Sequence, residues 1–201
     1  MCNHYQQPNV KLMQNYLTEN LNLPLANQQL EHTIYASKRD IFPKKEALFL
    51  LKSQTGKVGF MPKSWGYPNP FNNKNVLVNA RLEKYTQPRS MWHNSIPGII
   101  IANQFFEAGP TTYTANNGKT YKEQFSFTQK NSPLTFIAGI YEKNHFAMIT
   151  TEPTPLYAQV HDRMPLVLAE NNLNAWLSGE ISVIKNHNLV NLEKVKLPYR
   201  S

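Results

Sequence analysis

Cysteine is almost absent from this chain of 201 residues: there is one, Cys2. A lone cysteine excludes an internal disulfide framework and a cysteine-based zinc cluster, and it suits a reducing compartment. Long hydrophobic runs are missing too. No stretch approaches the roughly 18 apolar residues that a membrane helix needs, and the N-terminus lacks the apolar core of a signal peptide. These absences predict a soluble, cytoplasmic protein. There is no Gly-rich phosphate loop, no GxGxxG fingerprint and no GxSxG elbow, and His, Asp and Glu do not fall at metal spacing on a helix. No cofactor or metal is expected. Acidic residues are scarce: 13 Asp and Glu against 21 Lys and Arg leave a formal charge of +8. That balance favours an anionic partner. The cations are scattered, so a nucleic acid would lie in a groove of the folded domain. A generally basic surface accounts for the charge equally well.

What is present suffices for a packed core, with 41% hydrophobic and 11% aromatic residues. Residues 3–33 are rich in Asn and Gln, with a weak helical period through Leu12, Tyr16, Leu17, Leu21 and Leu23 that ends before Pro24. Residues 34–63 read as strands, with Glu46–Leu51 an apolar run and Thr55-Gly56 a turn. A loop with two prolines and three asparagines spans Tyr67–Lys74. Asn75–Glu83 begins as a strand and ends polar. Residues 98–107 form a further apolar segment, and 109–124 a long hairpin or loop. Thr135–Tyr141 and His145–Thr151 read as paired strands about a turn, and Asn171–Ser178 as a short helix stopped by Gly179. The tail from Glu180 suggests a final strand or two. The whole predicts one α+β domain over residues 1–201, built on a strongly bent, mainly antiparallel sheet or partial barrel with a few short helices.

Cys2 directly follows Met1, and methionine aminopeptidase removes Met1 when the second residue is small. The mature chain would begin with an amine and a thiol on one residue. Such a 1,2-aminothiol condenses with an aldehyde and closes a thiazolidine ring. Both groups titrate near neutrality, at about 7.7–8.0 for the amine and about 8.5 for the thiol in reference peptides. Taken singly, Cys2 reads as an incidental second residue. Singly, too, Asn79 in VNARLE reads as a turn cap, Glu107 after Phe105-Phe106 as a solvent-facing carboxylate, and His161 in HDRMP as a loop histidine. Together they supply what aldehyde capture uses: a nucleophile, an orienting amide, a carboxylate to move protons at the amine, and a second acid/base.

The order MC, WG, NARLE, FFE, TTE, HDRMPLVL and a following WL resembles the SRAP (SOS response-associated peptidase) family of abasic-site processing proteins. HDRMP before an apolar run is its most specific piece, and the match runs from Cys2 to Trp176-Leu177. The resemblance implies binding to single-stranded DNA and a covalent thiazolidine crosslink between Cys2 and the ring-opened aldehyde of an abasic site. It implies that Asn79 positions the nucleophile or sugar, Glu107 handles protons at the α-amine, and His161 assists opening of the deoxyribose. Arg81 and Arg163 would contact phosphates. Trp65 would stack on a base or sugar, or else serve as a core tryptophan beside Gly66.

The chain departs from the family pattern in places. MCGR is here Met1-Cys2-Asn3-His4, Phe-Tyr-Glu-Trp is Phe105-Phe106-Glu107-Ala108, and an Asn-x-Ala-Pro stretch is not recognisable around Ile34–Lys38. The proposed chemistry is kept while part of the DNA-contact surface changes. Two other classes stay open: a self-processing peptidase with an N-terminal nucleophile, and a noncovalent single-strand binder using charge and aromatics alone. A monomer is expected.

Overall fold

The computed structural model describes residues 2–26, 30, 33–72, 74–182 and 190–199. Strand β1 (His4–Gln7) leads into helix α1 (Val10–Asn15), which is capped by the Asn9 side chain and continues as a wider π-turn over Tyr16–Asn20. Strands β2 (Arg39–Ile41), β3 (Glu46–Lys52) and β4 (Val58–Trp65) follow. The short β5 (Tyr67–Pro68), β6 (Val76–Leu77) and β7 (Asn79–Arg81) precede α2 (Leu82–Tyr85). Then come β8 (Ile96–Ala102), β9 (Gln104–Thr114), β10 (Thr120–Gln129), β11 (Thr135–Glu142) and β12 (His145–Thr151). Helix α3 (Pro155–Ala158), β13 (Met164–Pro165), α4 (Leu173–Leu177) and β14 (Leu192–Lys196) complete the described chain. This is a mixed α+β fold, mostly sheet. No helix among the described residues is long and apolar enough to cross a membrane.

Two sheets face each other. The smaller runs β14-β10-β9-β1-β2 and is antiparallel throughout. The larger runs β11-β8-β3-β4-β12-β13, and because β11 also pairs with β12 it curls into a ring. The closing β4–β12 contact is parallel and short, joining Ser64-Trp65 to His145-Phe146. Strand alternation sends β3 side chains to two cores. Ala47, Phe49 and Leu51 join Tyr5, Trp65, Phe105 and Phe127 between the sheets. Leu48 and Leu50 face the opposite way, under Val10 and Met13 of α1 and Trp176 of α4.

The structure revises several readings. The start of the region read as weakly helical is a strand, β1, inserted between β2 and β9. Ile34–Ala36 is a single 3-10 turn capped by Thr33, not a strand. The apolar segment 98–107 is two strands in two different sheets, broken at Asn103, whose N–H donates to the Gln6 carbonyl at 2.8 Å. Hydrophobic periodicity cannot see that break, because both sides of it are buried. The tail supplies one described strand, β14; residues 183–189 of that tail lie outside the described residues.

Candidate active site

Cys2 lies just ahead of β1 and is 1% exposed, in the core between the two sheets. Its Sγ–H donates to the His4 carbonyl at 3.4 Å. Its own carbonyl accepts the Asn79 Nδ2–H at 2.9 Å. Asn79 opens β7, which lies parallel to β12 with Asn79 opposite Met148. That pairing carries the side chain to Cys2 across 77 residues of sequence. The carbonyl contact fixes which end of the amide is which: Nδ2 is engaged, and Oδ1 is buried with no hydrogen-bond partner.

Glu107 stands on β9 and is 5% exposed. Strand alternation explains the burial: Phe105 and Glu107 point between the sheets while Phe106 points out. The Tyr157 hydroxyl donates to Glu107 Oε2 at 3.0 Å, and the Ala108 N–H donates to Oε1 at 3.3 Å. Burial, and after it the Glu107 carboxylate, push the Cys2 thiol up to about 12. The Tyr157 phenol is raised well above its ordinary range by burial and then by Cys2 and Glu107, so it stays a neutral donor. Tyr5 is raised likewise, by burial and then by Cys2, with Arg39 opposing.

His161 follows α3, and its N–H donates to the Tyr157 carbonyl at 3.1 Å, so one turn of chain ties it to Tyr157 and, through it, to Glu107. Its Nδ1 is approached by the Arg163 N–H at 3.0 Å and by Asp162 Oδ1 at 2.7 Å. The first contact needs a lone pair on Nδ1 and the second a proton there, so the two are not made at the same time.

The two arginines differ. Arg81 ends β7 and is exposed. Arg163 is 13% exposed, with both guanidinium Nη atoms on Glu83 at 2.9–3.2 Å and Nη2 also on the Thr150 carbonyl at 2.8 Å. Burial alone would raise the Glu83 carboxyl; the Arg163 fork outweighs it and holds the group below its ordinary value. Trp65 takes the core reading. It is fully buried, its Nε1–H donates to the Val78 carbonyl at 3.0 Å, and Tyr5 and Phe146 flank its ring. A ring enclosed this way offers no face to a base, which corrects the stacking role.

Cys2, Asn79 and Glu107 are therefore brought together, His161 is linked to them through α3, and Trp65 sits beneath. Tyr157 was not singled out from the sequence: in LYAQ it carries no motif, and its role arises from a contact across 50 residues. Among the described residues no group of three His, Cys, Asp or Glu could hold a metal ion. Chemically the site is a buried thiol and a buried carboxylate among apolar side chains, with an amide holding the backbone of Cys2.

The chain is 31% identical over 134 residues to the abasic site processing protein YoaM of Bacillus subtilis, covering 61% of this chain and 54% of YoaM. It is 26% identical over 146 residues to the abasic site processing protein YedK of Escherichia coli, covering 67% of this chain and 62% of YedK. The chain thus spans little more than half the length of the curated relatives it matches. In fold it is similar to crystal structures of proteins from Bordetella bronchiseptica (TM-score 0.70, 18% identity, 98% of this chain and 100% of that one) and Bacteroides thetaiotaomicron (TM-score 0.68, 16% identity, 98% and 92%). The family profile described as SOS response associated peptidase (SRAP) matches residues 1–197, and the chain belongs to that family.

Proposed function

We propose that this protein processes abasic sites in DNA by capturing the ring-opened aldehyde on Cys2. The observation that carries the reading is that Asn79 holds the Cys2 carbonyl while the buried Glu107 carboxylate acts on the buried Cys2 thiol. After removal of Met1, the free α-amine of Cys2 adds to the aldehyde carbon to give a carbinolamine. Loss of water gives an imine, with Glu107 relaying the protons. The sulfur then closes on the imine carbon as its proton passes to nitrogen, leaving a thiazolidine. Amine, thiol and aldehyde are consumed, and one water is released. Asn79 holds the Cys2 carbonyl, which fixes the orientation of amine and thiol. His161 assists opening of the deoxyribose, and Arg81 meets a backbone phosphate. The thiol held at about 12 belongs to the chain that still carries Met1. Processing places an ammonium on the same residue as the sulfur, which favours the thiolate.

The test is a denaturing gel with single-stranded DNA bearing an abasic site. Wild type should give an adduct that survives denaturation. Cys2→Ala keeps the amine, so it should give only an imine trappable by borohydride. Inserting a bulky residue between Met1 and Cys2 retains Met1 and separates the amine from the thiol, and should abolish the stable adduct although the cysteine remains. Wild-type yield from that insertion variant would overturn the reading.

A further inference from the structure

His4 stands where the family pattern has an arginine, and it does not reach outward as one would. Its ring is sandwiched on the outer face of the smaller sheet. Phe106 lies on one side with centroids 4.0 Å apart and planes 14° apart, and Phe42 on the other at 4.3 Å and 17°. Asp40 Oδ1 is 2.8 Å from His4 Nε2 and fixes the rotation of the ring. The sheet register builds this stack: His4 pairs with Phe106, and Tyr5 pairs with Ile41, so Phe42 falls opposite His4. Exposure rises outward along the three rings, from 8% at Phe106 through the half-buried His4 to 45% at Phe42.

Phe42 is the outermost ring of the stack. Its turn is pinned in place: the Lys44 N–H donates to the Trp65 carbonyl at 2.8 Å, and the Trp65 N–H donates to the Lys45 carbonyl at 2.9 Å. The middle ring of the stack is two residues from Cys2, whose thiol donates to the His4 carbonyl. Exposed Lys38, Lys44 and Lys45 flank Phe42 in sequence, while the nearest carboxylates are engaged, Asp40 by His4 and Glu46 by the Tyr35 hydroxyl.

We propose that Phe42, backed by His4 and Phe106, is a stacking platform for a nucleobase of the single strand that flanks the captured site. Three near-parallel rings make a planar, rigid end surface, which suits a planar aromatic ligand better than a flexible apolar side chain. The flanking lysines suit a ligand that carries phosphate on both sides of that plane. Stacking does not read sequence, so any base serves. The proposal rests on the reading that single-stranded DNA is the partner, and it assigns His4 the role of middle ring of the stack.

The test uses a single-stranded oligonucleotide with 2-aminopurine next to a tetrahydrofuran abasic analogue. That analogue has no aldehyde, so only noncovalent binding is read. Wild type should quench 2-aminopurine at saturation. Phe42→Leu keeps apolar bulk and should lose the quench and roughly tenfold in affinity, in the range that one base–aromatic stack contributes. Phe42→Tyr restores a ring and should restore both, which separates stacking from packing. Equal quench and affinity in wild type and Phe42→Leu would overturn the platform, as would absence of quench in saturated wild type. Running the same proteins with an aldehyde-bearing strand on the denaturing gel keeps the two readings apart. Quench without any adduct leaves the platform standing and removes covalent capture; adduct without quench does the reverse. Binding by a peptide or by a second copy of the chain, with no DNA affinity, removes both.

Discussion

Tyr157 donates its hydroxyl to Glu107 Oε2 from inside the core, while the Ala108 N–H donates to Oε1. A buried carboxylate beside a buried thiol is an uncomfortable pair, because each charge raises the cost of the other. Tyr157→Phe keeps the ring packed against Phe105 and Phe127 and removes only the donor. A hydrogen bond to a charged group contributes about 1.5–3 kcal/mol, so capture should slow about tenfold to a hundredfold while noncovalent DNA affinity stays unchanged. Crosslinking at the wild-type rate would make Tyr157 merely structural. The thiol carries a stability consequence as well. Its value in the folded chain is about 12 against an ordinary 9.0, so the folded state holds the proton more tightly. That contribution is complete below pH 9.0 and is lost as pH rises toward about 12. In urea titrations over that window, Cys2→Ala should lose stability less steeply than the Met1-bearing parent. Motif order and reaction chemistry both point at Cys2, Asn79 and Glu107 in the sequence, and the fold brings these three together. Tyr157 and the His4 stack were not legible from sequence, since neither has a local pattern and both depend on which strands become neighbours.

At the scale of elements, the β11–β12 hairpin was readable: two apolar runs flank a polar turn in which Lys143 takes a positive φ of 53°. The closing of the large sheet was not. It depends on parallel pairings of β12 with β4 and β7, which bring together segments about 70 to 80 residues apart and leave no periodic trace. Two glycines on adjacent strands make room for the core that closure encloses. Gly98 of β8 pairs with Gly139 of β11, and the Phe49 ring lies over both. A Cβ on Gly98 would fall 2.2 Å from Phe49 Cε1 and 2.9 Å from the Leu50 carbonyl oxygen; one on Gly139 would fall 2.7 Å from Phe49 Cε2. Phe49 is fully buried and stacks on Phe146, whose strand pairs with the end of β4. It cannot move aside without disturbing that closure. Gly98→Ala should therefore destabilise the protein by about 1–3 kcal/mol, the usual cost of overpacking. Chemical denaturation reads this directly, and a Gly98→Ala variant as stable as wild type would show that Phe49 relaxes freely.

Across the whole molecule the excess of 21 basic over 13 acidic residues predicts salt-sensitive binding to a polyanion, but total charge does not say which cations meet phosphate. The two motif arginines separate on this point. Arg163 is committed: Glu83 takes both of its Nη atoms, Thr150 takes one of them again, and little of the side chain reaches solvent. Phosphate could recruit it only by displacing a carboxylate already paired with it. Arg81 is exposed two residues beyond Asn79 on the same strand, close to the residue that holds the Cys2 carbonyl. Arg81→Ala should reduce the log–log salt slope of single-strand binding by about 0.7, the contribution of one phosphate contact. Arg163→Ala should leave the slope unchanged and lower stability instead, because it removes a donor to the Thr150 carbonyl and releases Glu83. The half-exposed Glu83 keeps that loss at the low end of the cost of removing a charged hydrogen-bond partner, about 1 kcal/mol. Binding titrations across a salt series, paired with thermal unfolding, separate the two outcomes. A slope that drops in Arg163→Ala and not in Arg81→Ala would mean that DNA breaks the Glu83 pair on binding, and that the strand runs along the β12 side of Asn79 rather than past the end of β7.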